Sequence, residues 1–231
     1  MVCSNDQKDL RVSEGGIVSV MRTLQEFFAF LTEETTGYGS PVEEVVQQLQ
    51  SLEGLKEVEQ FLNQELGQPV AGGMSRRIWN LSDTKIVKVV RAVASNDENR
   101  KEVEHATCLG QKLAPVIYQY DRKNFLWIIE ERLSQIEEED LFDFFEEKFQ
   151  YRFKDWVELK QFFQFISHTQ RSKESYPKLT KLFTRLLNTN EWFQAFSKEL
   201  WDCDVNSEDF HSDNWGVRPS TGEVVLLDLG F

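Results

Sequence analysis

The chain has 231 residues, 39 acidic and 26 basic side chains, and a net charge of −13. That charge excludes a nucleic-acid backbone binder, which needs a basic face, and suits an anionic membrane surface equally poorly. No apolar run approaches the ~20 residues of a membrane span, and no apolar signal-peptide core opens the sequence.

Residues 1–15 are polar and lead into Gly15-Gly16. Residues 17–35 set Val20, Leu24, Phe27, Phe28 and Leu31 three and four apart, which predicts an amphipathic helix. Gly37 to Pro41 breaks it, with Ser40 as N-cap and Pro41 at the first position of a second helix through Val42, Val45, Val46 and Leu49. A third helix carries Leu55, Val58, Phe61, Leu62 and Leu66, and completes a helical extension over residues 1–66. The texture then changes. VAGGMSRRIWNL and SDTKIVKVVRA read as strands. SNDENRKEVEHATCLGQKL returns to helix, capped by Asn96 or Asp97, with Val103, Ala106, Leu109 and Leu113 on one face and Pro115 as its stop. PVIYQYD and NFLWIIEERL are two strands joined by a turn at Asp121 to Asn124. The period is helical from Ile136 to Trp201 and very aromatic, as a packed core of Phe side chains requires. A loop, a strand, a Ser-Thr-Gly turn and a strand end the sequence.

Cys3, Cys108 and Cys203 are odd in number and widely spaced, without CxxC pairing. They point to a reducing cytoplasm and no disulfide framework, and together with three scattered His they make a structural zinc site improbable.

Four features carry chemistry. They are Asp209-Phe210-His211-Ser212-Asp213-Asn214, the strand VVLLDLG that delivers Asp228 into a Gly230 turn, Lys88 inside the apolar strand IVKVV, and a following helix with Glu102 and Glu104. Phosphoryl transfer needs such a set: oxygen ligands for a divalent cation that bridges phosphates, a carboxylate to orient an acceptor hydroxyl, and a fixed cation held by its own carboxylate. Glu102 shares a helical stripe with Ala106, Leu109 and Leu113, so it faces inward toward Lys88, whereas Glu104 falls about 200° away.

DFHSDN resembles the D-L-H-x-x-N loop of aminoglycoside phosphotransferases, choline kinases and related protein-kinase-like enzymes, and LLDLG resembles their D-F-G motif. The resemblance covers residues 67 to 231. It implies an α+β, two-lobed protein-kinase-like fold: a small antiparallel sheet plus one helix over residues 67–133, above a shortened, mainly helical lobe over 134–231. By position it implies Asp209 as catalytic base, Asn214 and Asp228 as metal ligands, and Lys88, held by Glu102, as the phosphate lysine. ATP and Mg2+ are the implied cofactors, and the acceptor is a hydroxyl of a protein or small molecule. VAGGMSRRIW departs from G-x-G-x-x-G, but Gly72, Gly73 and Ser75 could offer backbone N–H groups to phosphates, with charge from Arg76 or Arg77. The backbone from Glu130 through Glu131 to Arg132 links the lobes and is expected to hold adenine, with Ile128 and Leu133 against the ring. Ser207 and Asp213 also depart from the pattern. The sequence ends three residues after Asp228, where peptide kinases continue, so the helices of residues 17–66 are candidates for a protein-partner surface. A nucleotide-binding pseudokinase module is the competing reading, and an acidic decoy for a nucleic-acid-binding protein a weaker one.

Overall fold

The computed structural model describes residues 41–166, 176–207 and 210–229. The helix expected over 17–35, the Ser40 cap, Cys3, His168, Asp209 and Gly230 lie outside the described residues. The chain divides into two units, Met1–Glu44 and Val45–Phe231. Within the first, only the opening turn of helix α1 (Pro41–Ser51) is described. The rest of the account concerns the second unit.

Its first sheet is antiparallel, in the order β1-β2-β3-β5-β4. The strands are β1 (Ala71–Gly72), β2 (Arg76–Asn80), β3 (Lys85–Val90), β4 (Ile117–Tyr120) and β5 (Trp127–Glu131). Alternation divides its residues between two faces. Trp79, Val87, Val89, Trp127 and Ile129 share one face, by the cross-strand register. Helix α2 (Leu55–Glu65) is bonded to the edge of that face: Trp79 Nε1 donates to Asn63 Oδ1 at 3.3 Å and to Gly67 O at 3.0 Å, and Arg77 meets Glu59 at 2.6 Å. Val58 and Leu62 of α2 are fully buried. The opposite face carries Arg76, Ile78, Ile86, Lys88, Ile128 and Glu130. The β4–β5 turn is closed by Asp121, whose carboxylate accepts from the backbone N–H groups of Lys123, Asn124 and Leu126.

Helix α3 (Asn96–Leu109) crosses between β3 and β4. It is shorter than the periodicity predicts. Gly110 takes φ +68, extended at a positive φ that glycine adopts freely, which ends the helix before Leu113, and the Leu113 carbonyl accepts from Leu226 N at 2.8 Å instead. Neither Asn96 nor Asp97 caps α3. Ser95 holds that position, and the Asn96 amide is drawn to Asn124 O at 3.0 Å.

The helical part holds α4 (Glu138–Phe149), α5 (Trp156–Phe163), α6 (Pro177–Thr189) and α7 (Glu191–Asp202). Its core is aromatic, as the sequence requires: Phe145, Phe149, Phe162, Phe163, Phe193 and Phe210 are fully buried. A second sheet, β6-β7-β8, joins the linker strand β6 (Ser134–Gln135) to the hairpin of β7 (Trp215–Val217) and β8 (Val224–Leu226). Gly216 is needed there, because a Cβ would stand 3.0 Å from Leu133 Cβ and 3.2 Å from Ser134 O. The result is the α+β architecture expected: a small antiparallel sheet with one crossing helix, over a mainly helical part. Among the described residues no helix is long and apolar enough to cross a membrane.

The cysteine reading is corrected. Cys108, near the end of α3, forms a disulfide with Cys203, just after α7, across 95 positions of sequence. Wide spacing hid the pair, because tertiary packing rather than a local motif brings the two Cα atoms to 5.6 Å. With these thiols paired, the cysteines no longer argue for a reducing compartment.

Candidate nucleotide cleft

The inner face of the first sheet and the end of β8 enclose a cleft of about 440 Å³, within the ~300–1,000 Å³ range of small-molecule sites. Val70, Ala71, Ile78 and Ile86 form its apolar roof, and Leu133 and Leu227 add apolar side chains from the linker and the C-terminal strand. Arg76, Lys88, Arg132, Asp213 and Asp228 supply its charge.

Lys88 is only 4% exposed, and its ammonium sits 2.5 Å from Glu102 Oε1, 2.7 Å from Glu130 Oε1 and 3.3 Å from Leu227 O. Glu102 is fully buried and faces Lys88, while Glu104 bonds Arg100 on the exposed side of α3. The inward expectation for Glu102 therefore holds. Burial works against the Lys88 charge, but Glu102 and Glu130 outweigh it and raise its pKa. Burial likewise works against the Glu102 carboxylate, yet Lys88 and Arg76 hold its pKa below the ordinary value.

Glu130 is where the structure revises the expectation most. The expectation concerned the backbone, but the side chain is what the structure sets apart. It is fully buried on the inner face, within ion-pair reach of Lys88 but out of line for a hydrogen bond, so neither oxygen accepts an aligned donor. Burial, outweighing Lys88, pushes its pKa up to about 8. The Glu131 carboxylate is taken by Arg218 at 2.8 Å, and its N–H donates to Val116 O. Arg132 N donates to Thr84 O at 2.8 Å, and the Arg132 side chain borders the cleft. Two of the linker N–H groups expected at adenine are thus engaged elsewhere, and the cleft continues at Leu133. Ile128 is fully buried opposite Lys88 and does not line the cleft.

The glycine-rich turn is divided in its duties. A Cβ on Gly72 would stand 2.7 Å from Arg76 O, so β1 approaches β2 only because this residue is glycine. Gly73 faces open space and lines the cleft together with Ser75, whose carbonyl accepts from Arg91 N at 2.6 Å.

On the other wall, Asp213 lines the cleft but its neighbour Asn214 does not: it is buried in a short 3-10 turn, and its Oδ1 accepts from His211 N at 2.7 Å. The Asn214 carbonyl accepts from Leu227 N at 2.6 Å, which fixes the turn beside Asp228. Trp215 packs beneath it against Phe163 and Phe210, and Ser207 is buried with its hydroxyl on Phe163 O. Sequence reasoning missed two ties. His105 Nδ1 lies 2.7 Å from Leu229 O, joining α3 to the segment after Asp228. Arg218 gathers Glu131, Glu223 and the Ala114 carbonyl, joining the β7–β8 hairpin to the linker. An Arg four residues before the turn glycine Gly222 carries no motif that would have revealed this.

A divalent cation fits this wall in part. Asp228 and Asp213 line the cleft and carry hard carboxylate oxygens, although Asp228 Oδ1 already accepts from Arg76 at 2.6 Å. Asn214 Oδ1 already accepts one hydrogen bond and has one lone pair left. Among the described residues no three His, Cys, Asp or Glu gather closely enough to hold an ion by themselves. An ion here would share its coordination with phosphate oxygens, as Mg2+ commonly does.

No family model matches the chain, and no curated protein matches it. Among solved structures, it is similar to the GDP and kanamycin complex of APH(2")-IIia, at 11% identity and a TM-score of 0.35 over 71% of this chain. It is also similar to the streptomycin-ATP-APH(2")-IIa ternary complex, at 16% identity and a TM-score of 0.33, over 78% of this chain and 71% of that one. The chain spans 66% of the length of the first.

Proposed function

We propose that the chain is a phosphotransferase that binds ATP in this cleft and passes its γ-phosphate to a hydroxyl. The observation that carries the reading is the buried Lys88–Glu102 ion pair in a cleft whose opposite wall presents Asp228. Lys88 is the fixed cation for the inner phosphates, and Glu102 sets its position. Gly73 and Ser75 cover the phosphates from the roof. Leu133 and the linker beside it take the base, with Ile78, Ile86 and Leu227 against the ring. Asp228, Asp213 and Asn214 hold the divalent cation, which when bound screens the negative charge of the phosphates. Asp209 is the catalytic base: it orients the acceptor hydroxyl and accepts its proton, and it takes no part in phosphate binding.

The acceptor is a protein or a small molecule, because acceptor pockets are built from segments that vary within a fold. The experiment is transfer of labelled γ-phosphate to a cell lysate separated into protein and small-molecule fractions. Wild type labels one fraction and Asp209→Asn labels neither, while both bind nucleotide. Equal labelling by the two would remove Asp209 from the reaction. Nucleotide binding with no labelled fraction would favour the pseudokinase reading.

A further inference from the structure

The sequence left open whether Arg76 or Arg77 serves the phosphates, and the structure separates them. Arg77 turns to the outer face and pairs with Glu59. Arg76 turns inward, is 8% exposed, and borders the cleft. Its guanidinium bonds Glu102 through Nη1 and Asp228 Oδ1 through Nη2, the latter at 2.6 Å. It therefore touches both the carboxylate that positions Lys88 and the carboxylate that faces the phosphates.

Its aim is fixed from the backbone. Gly72 lets β1 press against the Arg76 carbonyl, and Arg91 holds the flanking segment through Ser75 O at 2.6 Å and Arg76 O at 3.4 Å. The arrangement places two buried cations on one wall, where the phosphate-lysine pattern has one. Lys88 is paired with Glu102, and Arg76 is bonded both to Glu102 and to Asp228. A guanidinium has five N–H donors in a planar fork, suited to phosphate oxygens; here two nitrogens donate to carboxylates and Glu98 lies 3.9 Å from the third.

We infer that Arg76 is a second polyphosphate-binding residue that stands on Asp228 in place of a divalent cation, so that the cleft takes a nucleoside triphosphate without metal. The inference rests on the nucleotide reading above. A cation arriving at Asp228 then shares that carboxylate with Arg76 or displaces it, and metal serves transfer rather than capture.

The test is equilibrium binding of a fluorescent ATP analogue to the full chain, in EDTA and in Mg2+. Wild type should bind in EDTA within about threefold of its Mg2+ affinity, and Arg76→Gln should lose about tenfold or more in EDTA but little in Mg2+, tenfold being ~1.4 kcal/mol. Arg77→Gln should match wild type in both. If Arg76→Gln does not fold, Arg76→Lys decides: it keeps the charge but spans one carboxylate, so EDTA binding should still weaken selectively. Wild-type binding that collapses in EDTA, or a variant that weakens equally in both conditions, overturns the inference and leaves the nucleotide site standing. Absence of binding in both conditions overturns the nucleotide reading and this inference with it.

Discussion

Replacing Glu130 by Gln should make the protein more stable, and by an amount that depends on pH. Glu130 is fully buried, with Lys88 out of line and Glu102 close by. Its pKa rises from 4.5 to about 8 in the fold, with burial as the first cause. A group whose folded pKa is raised contributes its full stability below the unfolded value and loses it as pH climbs toward the folded one. The window is therefore pH 4.5 to about 8. At ~1.4 kcal/mol per pH unit, the interval sets a ceiling of about 5 kcal/mol lost by the wild type across it. Gln has the same shape, cannot ionise, and offers an amide N–H to Glu102 and a carbonyl to Lys88. The two proteins should differ by under about 1 kcal/mol near pH 5 and by about 3–5 kcal/mol at pH 9. For a chain of this size that is a gap in melting temperature of roughly 6–20 °C. Urea denaturation of both proteins in steps across this range measures it. Parallel stability curves would refute the buried-proton account of Glu130.

Glu102→Gln removes a carboxylate shared by Lys88 and Arg76, and should cost about 3–5 kcal/mol at neutral pH. Because the Glu102 pKa is depressed in the fold, its contribution is present above the unfolded value of 4.5 and is lost as pH falls below it, so the gap to wild type closes in acid. Cys108→Ser opens the 95-residue disulfide loop, which the chain-entropy relation puts at about 4–5 kcal/mol. A thiol reagent should leave Cys108 and Cys203 unlabelled until a reductant is added, and mass spectrometry of the two peptides reads this out. Gly72→Ala places a Cβ 2.7 Å from the Arg76 carbonyl and Gly73→Ala meets nothing within 4 Å. The first should destabilise by about 1–3 kcal/mol and weaken nucleotide binding, and the second should leave the melting temperature unchanged.

Periodicity was enough to find the strands around Lys88, the crossing helix and the aromatic core, because each depends on local alternation or a 3.6-residue stripe. The inward aim of Glu102 followed from the same stripe. Nonlocal ties were not legible. Arg76 reaches Asp228 across 152 positions, and Cys108 reaches Cys203 across 95. Neither pairing leaves a trace in local spacing. Glu130 shows a subtler failure. It lies at the end of a strand where a linker backbone was expected, but strand parity turns its side chain inward, and the face it meets is set by β3 rather than by its own neighbours. Arg132 and Glu131 spend their N–H groups on Thr84 and Val116 for the same reason, since β5 and the residues after it remain paired beyond the point where composition changes.

The central claim is that the cleft between Lys88 and Asp228 holds the phosphates of a nucleotide. An acyl-phosphate derivative of ATP tests it most directly, because it acylates an amine lying against the phosphates and marks that residue permanently. Peptide mapping after labelling should find the modification on Lys88, reduced by excess ATP and absent in Lys88→Met. Label spread over exposed lysines such as Lys123 and Lys178, unaffected by ATP, would contradict the assignment of this cleft as a nucleotide site.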